Sequence, residues 1–204
     1  MREIQSPWIM PFDDRKLAGA LLFICSVQCV LGMIIAETLY PGYSTSENYI
    51  SDLGLGPSAF IFNSTVFLLG VFLEAVAYFV QRAFVSRLLS VLLILTGVGA
   101  MGVGLFPENF FIIHWIASLI VFLFGALSSL ISCKLSKPPL SHFSVILGVL
   151  SLSALVLFGS GNYLGLGKGG MERMIAYPAL LWGVGFGAHL IGSSPSKKTK
   201  AMKA

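Results

Sequence analysis

Residue types that carry out acid–base chemistry occur at three places between the long apolar runs of this 204-residue sequence: Asp52, Glu108 and His114. Carboxylates and imidazoles are common proton acceptors and donors in catalysis. In an enzyme, Asp52 or Glu108 would act as general base, His114 as its acid–base partner, and Arg173 as an anchor for an anion. The same segments supply candidate ligand-binding residues: Asn48, Ser51, Asn63, Glu172, Arg173 and Tyr177.

The sequence has no pattern typical of a zinc site or of a nucleotide-binding loop. His114 is predicted at one end of the molecule, whereas His142 and His189 are predicted at the opposite end. Zinc sites need convergent ligands, and the sequence has no H-E-x-x-H. No strand precedes the Gly-rich stretch 165–170, so it is not a nucleotide-binding loop. The sequence predicts no metal site and names no cofactor; a metal held by the carboxylates and His114 stays an open alternative.

The composition defines the elements that must position these residues. Hydrophobic residues make up 56% of the chain and charged residues only 11%, with a mean hydropathy of +0.87. A soluble domain carries about 25% charged residues. This composition excludes a water-soluble enzyme, a nucleic-acid-binding module and a disordered chain. It is typical of a polytopic membrane protein.

Six apolar runs are long enough to cross the hydrocarbon core, which takes about 20 helical residues. They cover residues 17–39, 58–80, 88–106, 111–132, 143–160 and 174–191. All must be helical, because lipid offers no partner to an open strand edge. We therefore predict an all-α six-transmembrane-helix bundle built from three hairpins. It divides into a cytoplasmic lead-in (1–16), a transmembrane domain (17–191) and a basic cytoplasmic tail (192–204).

Charge predicts the orientation of this bundle. Of the 13 Lys and Arg residues, 11 fall on the side of the termini, and only Lys168 and Arg173 fall on the other side. The positive-inside rule therefore predicts a multi-pass protein of the cell membrane with both termini in the cytoplasm. The basic inner rim favours membrane lipids as partners rather than nucleic acid.

The first outer link contains a helix signal. Ser44 and Glu47 fit a capping box, and Gly54 could end the helix. We expect a short amphipathic helix over residues 45–53, lying at the outer interface with its polar face toward the mouth of the bundle.

The outer layer also collects polar residues from all three hairpins. It holds five of the nine acidic residues of the chain: Glu37, Glu47, Asp52, Glu108 and Glu172. Ionisable groups at the membrane edge usually face a bundle interior or a wet cavity. This convergence predicts an acidic pocket that binds, and in an enzymatic version processes, a lipid headgroup or small molecule. The alternative is a non-enzymatic carrier or assembly protein in which the cluster is a structural clamp.

Three short motifs resemble those of a known family. The first is Tyr43, residues 48–54 (NYISDLG) and residues 61–63 (IFN); the second is residues 105–108 (LFPE) with His114. The third joins Gly169, Gly170, Glu172, Arg173, Tyr177, Pro178 and Trp182. The combination is similar to a prokaryotic, largely archaeal six-span family that is catalogued only as a domain of unknown function. The resemblance implies the fold and supports the outer polar cluster, and it implies no substrate or reaction.

Overall fold

The structure is a computed structural model that describes residues 13–193. It confirms the all-α class, because six helices are long and apolar enough to cross a membrane and the described residues contain no strand. The helices are α1 (Asp14–Leu39), α2 (Ala59–Phe84), α3 (Arg87–Leu105), α4 (Phe111–Ser132), α5 (Leu140–Gly159) and α6 (Gly167–Gly192). Short 3-10 helices cover Ser51–Gly54, Gly56–Ser58 and Cys133–Leu135. Most of the predicted lead-in and tail lies outside the described residues.

The six helices form a closed ring. Each helix packs against the next one in the chain, α6 returns to pack along α1, and α6 also touches α4. This arrangement is consistent with three hairpins. Because short links make consecutive helices antiparallel, three of the links meet at one end of the ring, which we call the link end. They are link 1 (residues 40–58), link 2 (residues 106–110) and link 3 (residues 160–166).

The outer surface of the ring is apolar. Large side chains such as Phe60, Ile112 and Val156 are more than two-thirds exposed. An apolar outer surface of this extent is unfavourable in water but is compatible with lipid. Inside the ring, hydrogen bonds join the helices: Ser151 Oγ donates to the Ile175 carbonyl on α6 at 2.7 Å.

Glycines bring α1 and α6 into backbone contact. A Cβ added at Gly187 would lie 2.7 Å from the Phe23 nitrogen and 2.8 Å from the Gly19 carbonyl oxygen. A Cβ at Gly19 would lie 2.6 Å from the Gly187 carbonyl oxygen in return. Small residues at such positions are typical of close helix packing in membranes. This contact closes the ring between its first and last helices.

Helix α6 begins at Gly167, seven residues earlier than the span predicted from position 174. The Gly-rich segment looks like a loop in sequence, yet its Gly169 N–H is satisfied by the Ser46 carbonyl of link 1 at 2.9 Å. Glu172 and Arg173, which precede the predicted span, consequently lie in the second turn of α6.

Link 1 has shorter helical turns than the predicted 45–53 helix, namely a turn over residues 45–47 and the 3-10 helix Ser51–Gly54. Half of the predicted capping box is present, since Ser44 Oγ accepts from the Glu47 N–H at 3.3 Å. The Ser44 N–H donates to Asn48 Oδ1 instead of the Glu47 side chain. The N–H groups of Tyr49 and Ile50 donate to the side chains of Asp52 and Glu172. Carboxylates thus replace the carbonyls that a continuous helix would use.

We expect Gly187→Ala to lower the thermal unfolding midpoint of the protein in detergent. The new Cβ would press on backbone atoms of α1, and such overpacking costs about 1–3 kcal/mol. Gly185→Ala is the matched control on the same helix, because its Cβ would meet only Leu140, at 3.8 Å. The control should be neutral or slightly stabilising, since alanine favours a helix by up to about 1 kcal/mol. Equal losses in both variants would contradict the close α1–α6 contact.

Candidate functional site

Link 1 packs directly on the first turns of α6. A Cβ at Gly169 would collide with the Asn48 carbonyl oxygen and would lie 2.7 Å from that of Thr45. Gly167 has a φ of +75°, a left-handed conformation that glycine adopts readily. Glycines at these positions therefore let the backbone of link 1 reach α6.

Arg173 holds link 1 in this position. Its Nη1 donates to the carbonyls of Thr45 and Gly169, both at 3.0 Å. Its Nη2 donates to Glu37 Oε1 on α1 at 2.5 Å and to the Tyr43 hydroxyl at 2.7 Å. Four acceptors from α1, link 1 and α6 thus share one guanidinium, whose side chain is only 10% exposed. This geometry is that of a structural clamp.

The Tyr43 hydroxyl extends the clamp into link 1. It donates to the Tyr49 carbonyl at 2.8 Å while it accepts from Arg173. Burial raises the pKa of Tyr43 to about 12, although the hydrogen bond from Arg173 opposes this shift. The hydroxyl therefore stays protonated and can donate at any physiological pH.

Glu172, next to Arg173, makes a separate connection. Its Oε2 accepts from the Ile50 N–H of link 1 at 2.5 Å. The residue is only 6% exposed. Its Oε1 accepts no hydrogen bond from any residue between 13 and 193. One oxygen of this carboxylate, which is not fully enclosed, is thus left for another partner.

Three candidate residues bond within link 1 or next to it. Asp52 Oδ2 accepts from Asn48 Nδ2 at 3.0 Å and from the Tyr49 N–H at 2.9 Å. Asn63 Nδ2, on α2, donates to the Gly54 carbonyl at 3.0 Å. These contacts shape link 1 and join it to α2.

Glu108 and His114 come from link 2 and the first turn of α4. Burial and the neighbouring Asp52 carboxyl raise the pKa of Glu108 to about 7, and its Oε2 is buried without a hydrogen-bond partner among residues 13–193. His114 is buried, and its Nδ1 lies 2.8 Å from the Phe106 carbonyl oxygen. A carbonyl can only accept, so Nδ1 carries the hydrogen and Nε2 of the neutral ring is an acceptor.

Two cavities meet at these residues. A groove of about 410 Å³ lies between α4 and α5 at the link end, and its walls include Ser51, Glu108, His114 and Glu172. A second, largely apolar cavity of about 110 Å³ lies inside the ring. Four residues line both: Ser51, Ser118, Phe122 and Glu172. Glu172 is therefore part of the wall of both the groove and the central cavity.

The predicted cluster divides into two parts. Ser51, Glu108, His114 and Glu172 share the groove, and Asp52 lies next to Glu108. The other predicted residues lie outside the groove. Arg173 belongs to the clamp, and the side chains of Asn48 and Asn63 donate hydrogen bonds to link 1. Tyr177 is half-buried against the apolar core. Within residues 13–193, no three His, Cys, Asp or Glu side chains group as potential metal ligands.

Sequence reasoning missed the parts of the site that lie on helix faces. Glu37 was predicted in the outer layer but not as the partner of Arg173. Ser118 and Phe122 escaped notice, although His114, Ser118 and Phe122 recur every four residues on one face of α4. That periodicity was the available signal for a polar groove continuing into the ring.

A closed ring of six apolar helices with a polar link end defines a multi-pass membrane protein. The chain belongs to the family described as "Protein of unknown function (DUF998)", whose model matches residues 23–189. The resemblance to a six-span family of unknown function is thereby confirmed. No curated protein and no solved structure matches the chain.

Removing the clamp should destabilise the protein. We expect Arg173→Gln to cost about 2–4 kcal/mol of unfolding free energy, near the lower part of the range for a broken buried pair, because Glu37 is partly accessible. Glu37→Gln should be non-additive with Arg173→Gln, whereas Glu108→Gln should be additive to within about 0.5 kcal/mol. Unfolding in mixed micelles measures all five variants, singles and doubles. Additivity with Glu37, or coupling to Glu108, would show that Arg173 has a different principal partner.

Stability should also depend on Glu108 and pH. Because its pKa is about 7 in the folded protein and 4.5 in the reference state, the folded state holds its proton more tightly. The contribution of Glu108 to the unfolding free energy should therefore be fully present below pH 4.5, fall as the pH rises toward 7, and be lost above that. Asp52, Glu172, Tyr49 and Lys168 are the ionisable groups that surround it.

The comparison of wild type with Glu108→Gln isolates this effect. We expect the wild type to lose about 1–2 kcal/mol more than the variant between pH 4.5 and 8, a value reduced for the partial exposure of the side chain. Unfolding free energies across this range measure it. Parallel pH profiles would show that Glu108 ionises normally in the fold.

Proposed function

We propose that this protein binds the head group of a lipid or a small amphipathic molecule in the groove between α4 and α5. The observation that carries the proposal is the position of Glu172. Its carboxylate is buried, one of its oxygens has no partner among residues 13–193, and it contacts both the groove and the central cavity. This oxygen is an acceptor without a protein donor, so a ligand or water that donates a hydrogen bond there would be stabilised.

The walls of the groove favour entry from the membrane. Phe111 and Trp115 on α4 and Val156 on α5 line it, and each is at least 60% exposed on the outer surface of the ring. The groove mouth therefore opens toward the hydrocarbon, where a lipid would already be present. Apolar walls with a few convergent polar groups are typical of small-molecule sites.

An enzymatic version of this function would use Glu108 and His114. A carboxyl group with a pKa near 7 can exchange a proton at neutral pH, and the Nδ1 bond orients the His114 ring. Asp52 is committed to hydrogen bonds within link 1, so Glu108 is the better general base of the two.

Native mass spectrometry of protein extracted into a mild non-ionic detergent tests the binding proposal. We expect wild-type protein to carry a non-protein mass that Glu172→Gln loses. Glutamine can still accept from the Ile50 N–H, but its amide nitrogen replaces the free acceptor. The matched control is Glu47→Gln, at an exposed position of link 1, which should retain the bound mass. An empty wild type, or equal retention in Glu172→Gln, would contradict the proposal.

The alternative is a carrier or assembly protein in which the cluster only fastens the hairpins. The four hydrogen bonds of Arg173 favour a structural role for that half of the cluster. For the groove half, this alternative expects a ligand-free wild type and a loss of stability in Glu172→Gln as large as that in Arg173→Gln.

We further propose that the protein lies in the cell membrane with both termini in the cytoplasm, which places the link end outside. The support is the charge asymmetry, with 11 of 13 basic residues on the side of the termini. In a Cys133→Ser background, a membrane-impermeant maleimide added to intact cells should label Lys168→Cys and not Lys137→Cys. The reverse labelling pattern would invert the orientation.

A further inference from the structure

We propose that the groove selects an amphiphile with a cationic ammonium head, whose hydrocarbon tail enters the central cavity. This inference rests on the proposed function and names its ligand class. It starts from the free Oε1 of Glu172, a residue more than nine-tenths buried that lines both cavities. A second buried polar group faces the same interior: Ser128 is fully buried, lines the central cavity, and its Oγ has no partner among residues 13–193.

The charges around the groove favour a cationic head over an anionic one. Three carboxyl groups converge at its polar end, those of Asp52, Glu108 and Glu172. Both Nη groups of Arg173 are committed to acceptors; its Nε has no partner among residues 13–193, but Arg173 is not a wall of the groove. Lys168 places its ammonium 4.4 Å from the centre of the Tyr49 ring. A sulfate or phosphate would meet carboxylates without a free cation in the groove wall, whereas an ammonium would supply the missing charge.

Aromatic rings complete an ammonium site. Tyr49, Trp115 and Phe158 line the groove beside the carboxyl groups, and Tyr49 packs edge-on against Phe158 with 5.8 Å between ring centres. Aromatic faces attract cations, and aromatic cages are a recurrent means of binding quaternary ammonium groups. One face of Tyr49 is taken by the Lys168 ammonium, so Trp115 and Phe158 are the rings left for a ligand.

The path for the tail follows from the shared walls. The groove and the central cavity share four walls, Ser51, Ser118, Phe122 and Glu172, and Trp182 on α6 lines the central cavity. Ten residues separate Glu172 from Trp182, or about 15 Å along the helix. A chain whose head is held at Glu172 would therefore carry its far end toward Trp182.

Fluorescence quenching of Trp182 tests both parts of the inference. Trp182 is 5% exposed, so a quencher must enter the ring to reach it. The chain has three tryptophans, and Trp8→Phe with Trp115→Phe leaves Trp182 as the single reporter. Phenylalanine keeps an aromatic ring at position 115 in the groove, and the background must retain the co-purified mass of the wild type. The probes are two 12-carbon chains with a terminal bromine, one bearing a trimethylammonium head and the other a sulfate head.

We expect the ammonium probe to quench Trp182 at a concentration at least tenfold lower than the sulfate probe. Glu172→Gln should remove most of this preference. Ser118→Phe, which places a ring at a wall shared by the two cavities, should prevent quenching by both probes. Elution volume and unfolding midpoint verify that each variant is folded. Tetramethylammonium, which lacks a tail, should compete only weakly.

Every other outcome contradicts a stated part of the inference. Equal quenching by both probes, or preference for sulfate, would overturn the cationic head while leaving the groove as an amphiphile site. A co-purified mass that disappears in Glu172→Gln, without any quenching, would overturn the path of the tail and leave the proposed function standing. Absence of both bound mass and quenching would overturn the inference together with the proposed function.

Discussion

The guanidinium of Arg173 is the contact on which the link end depends. It joins α1 through Glu37, link 1 through Thr45 and Tyr43, and its own helix through Gly169. In hydrocarbon or at its edge, an arginine without acceptors is costly, so this network both neutralises the charge and holds link 1 over the ring. Because link 1 is held, Ile50 can reach Glu172 and Asp52 can lie beside Glu108.

The clamp also determines the electrostatics of the groove. Arg173 and Glu172 are consecutive, yet the cation turns to α1 and link 1 while the carboxylate lines the two cavities. Arg173 therefore forms no salt bridge with the carboxyl groups of Asp52 and Glu108. The cation that opposes the raised pKa of Glu108 is Lys168. The raised pKa of Glu108 reflects the burial and the crowding of carboxyl groups that result.

The bilayer makes such a site feasible in a small chain. With lipid outside, the ring can expose its large apolar residues and use glycine and serine contacts to join its helices. A soluble protein of this length would need those apolar residues for its core. Here they face outward, and the interior can retain a cavity that meets a polar groove.

The sequence by itself determined the six spans, because hydrocarbon thickness requires apolar runs of a set length and the polar links interrupt them. Helix α4 agrees with its predicted bounds at both ends. The sequence also indicated that the acidic residues of the links lie at a common depth. Tertiary structure decided their partners. Glu37 and Arg173 are 136 residues apart, and their pairing depends on α6 returning to α1. The early start of α6 and the short turns of link 1 have the same origin, since each segment takes hydrogen-bond partners from the other. Local pattern cannot reveal such partners, because they exist only once the ring has closed.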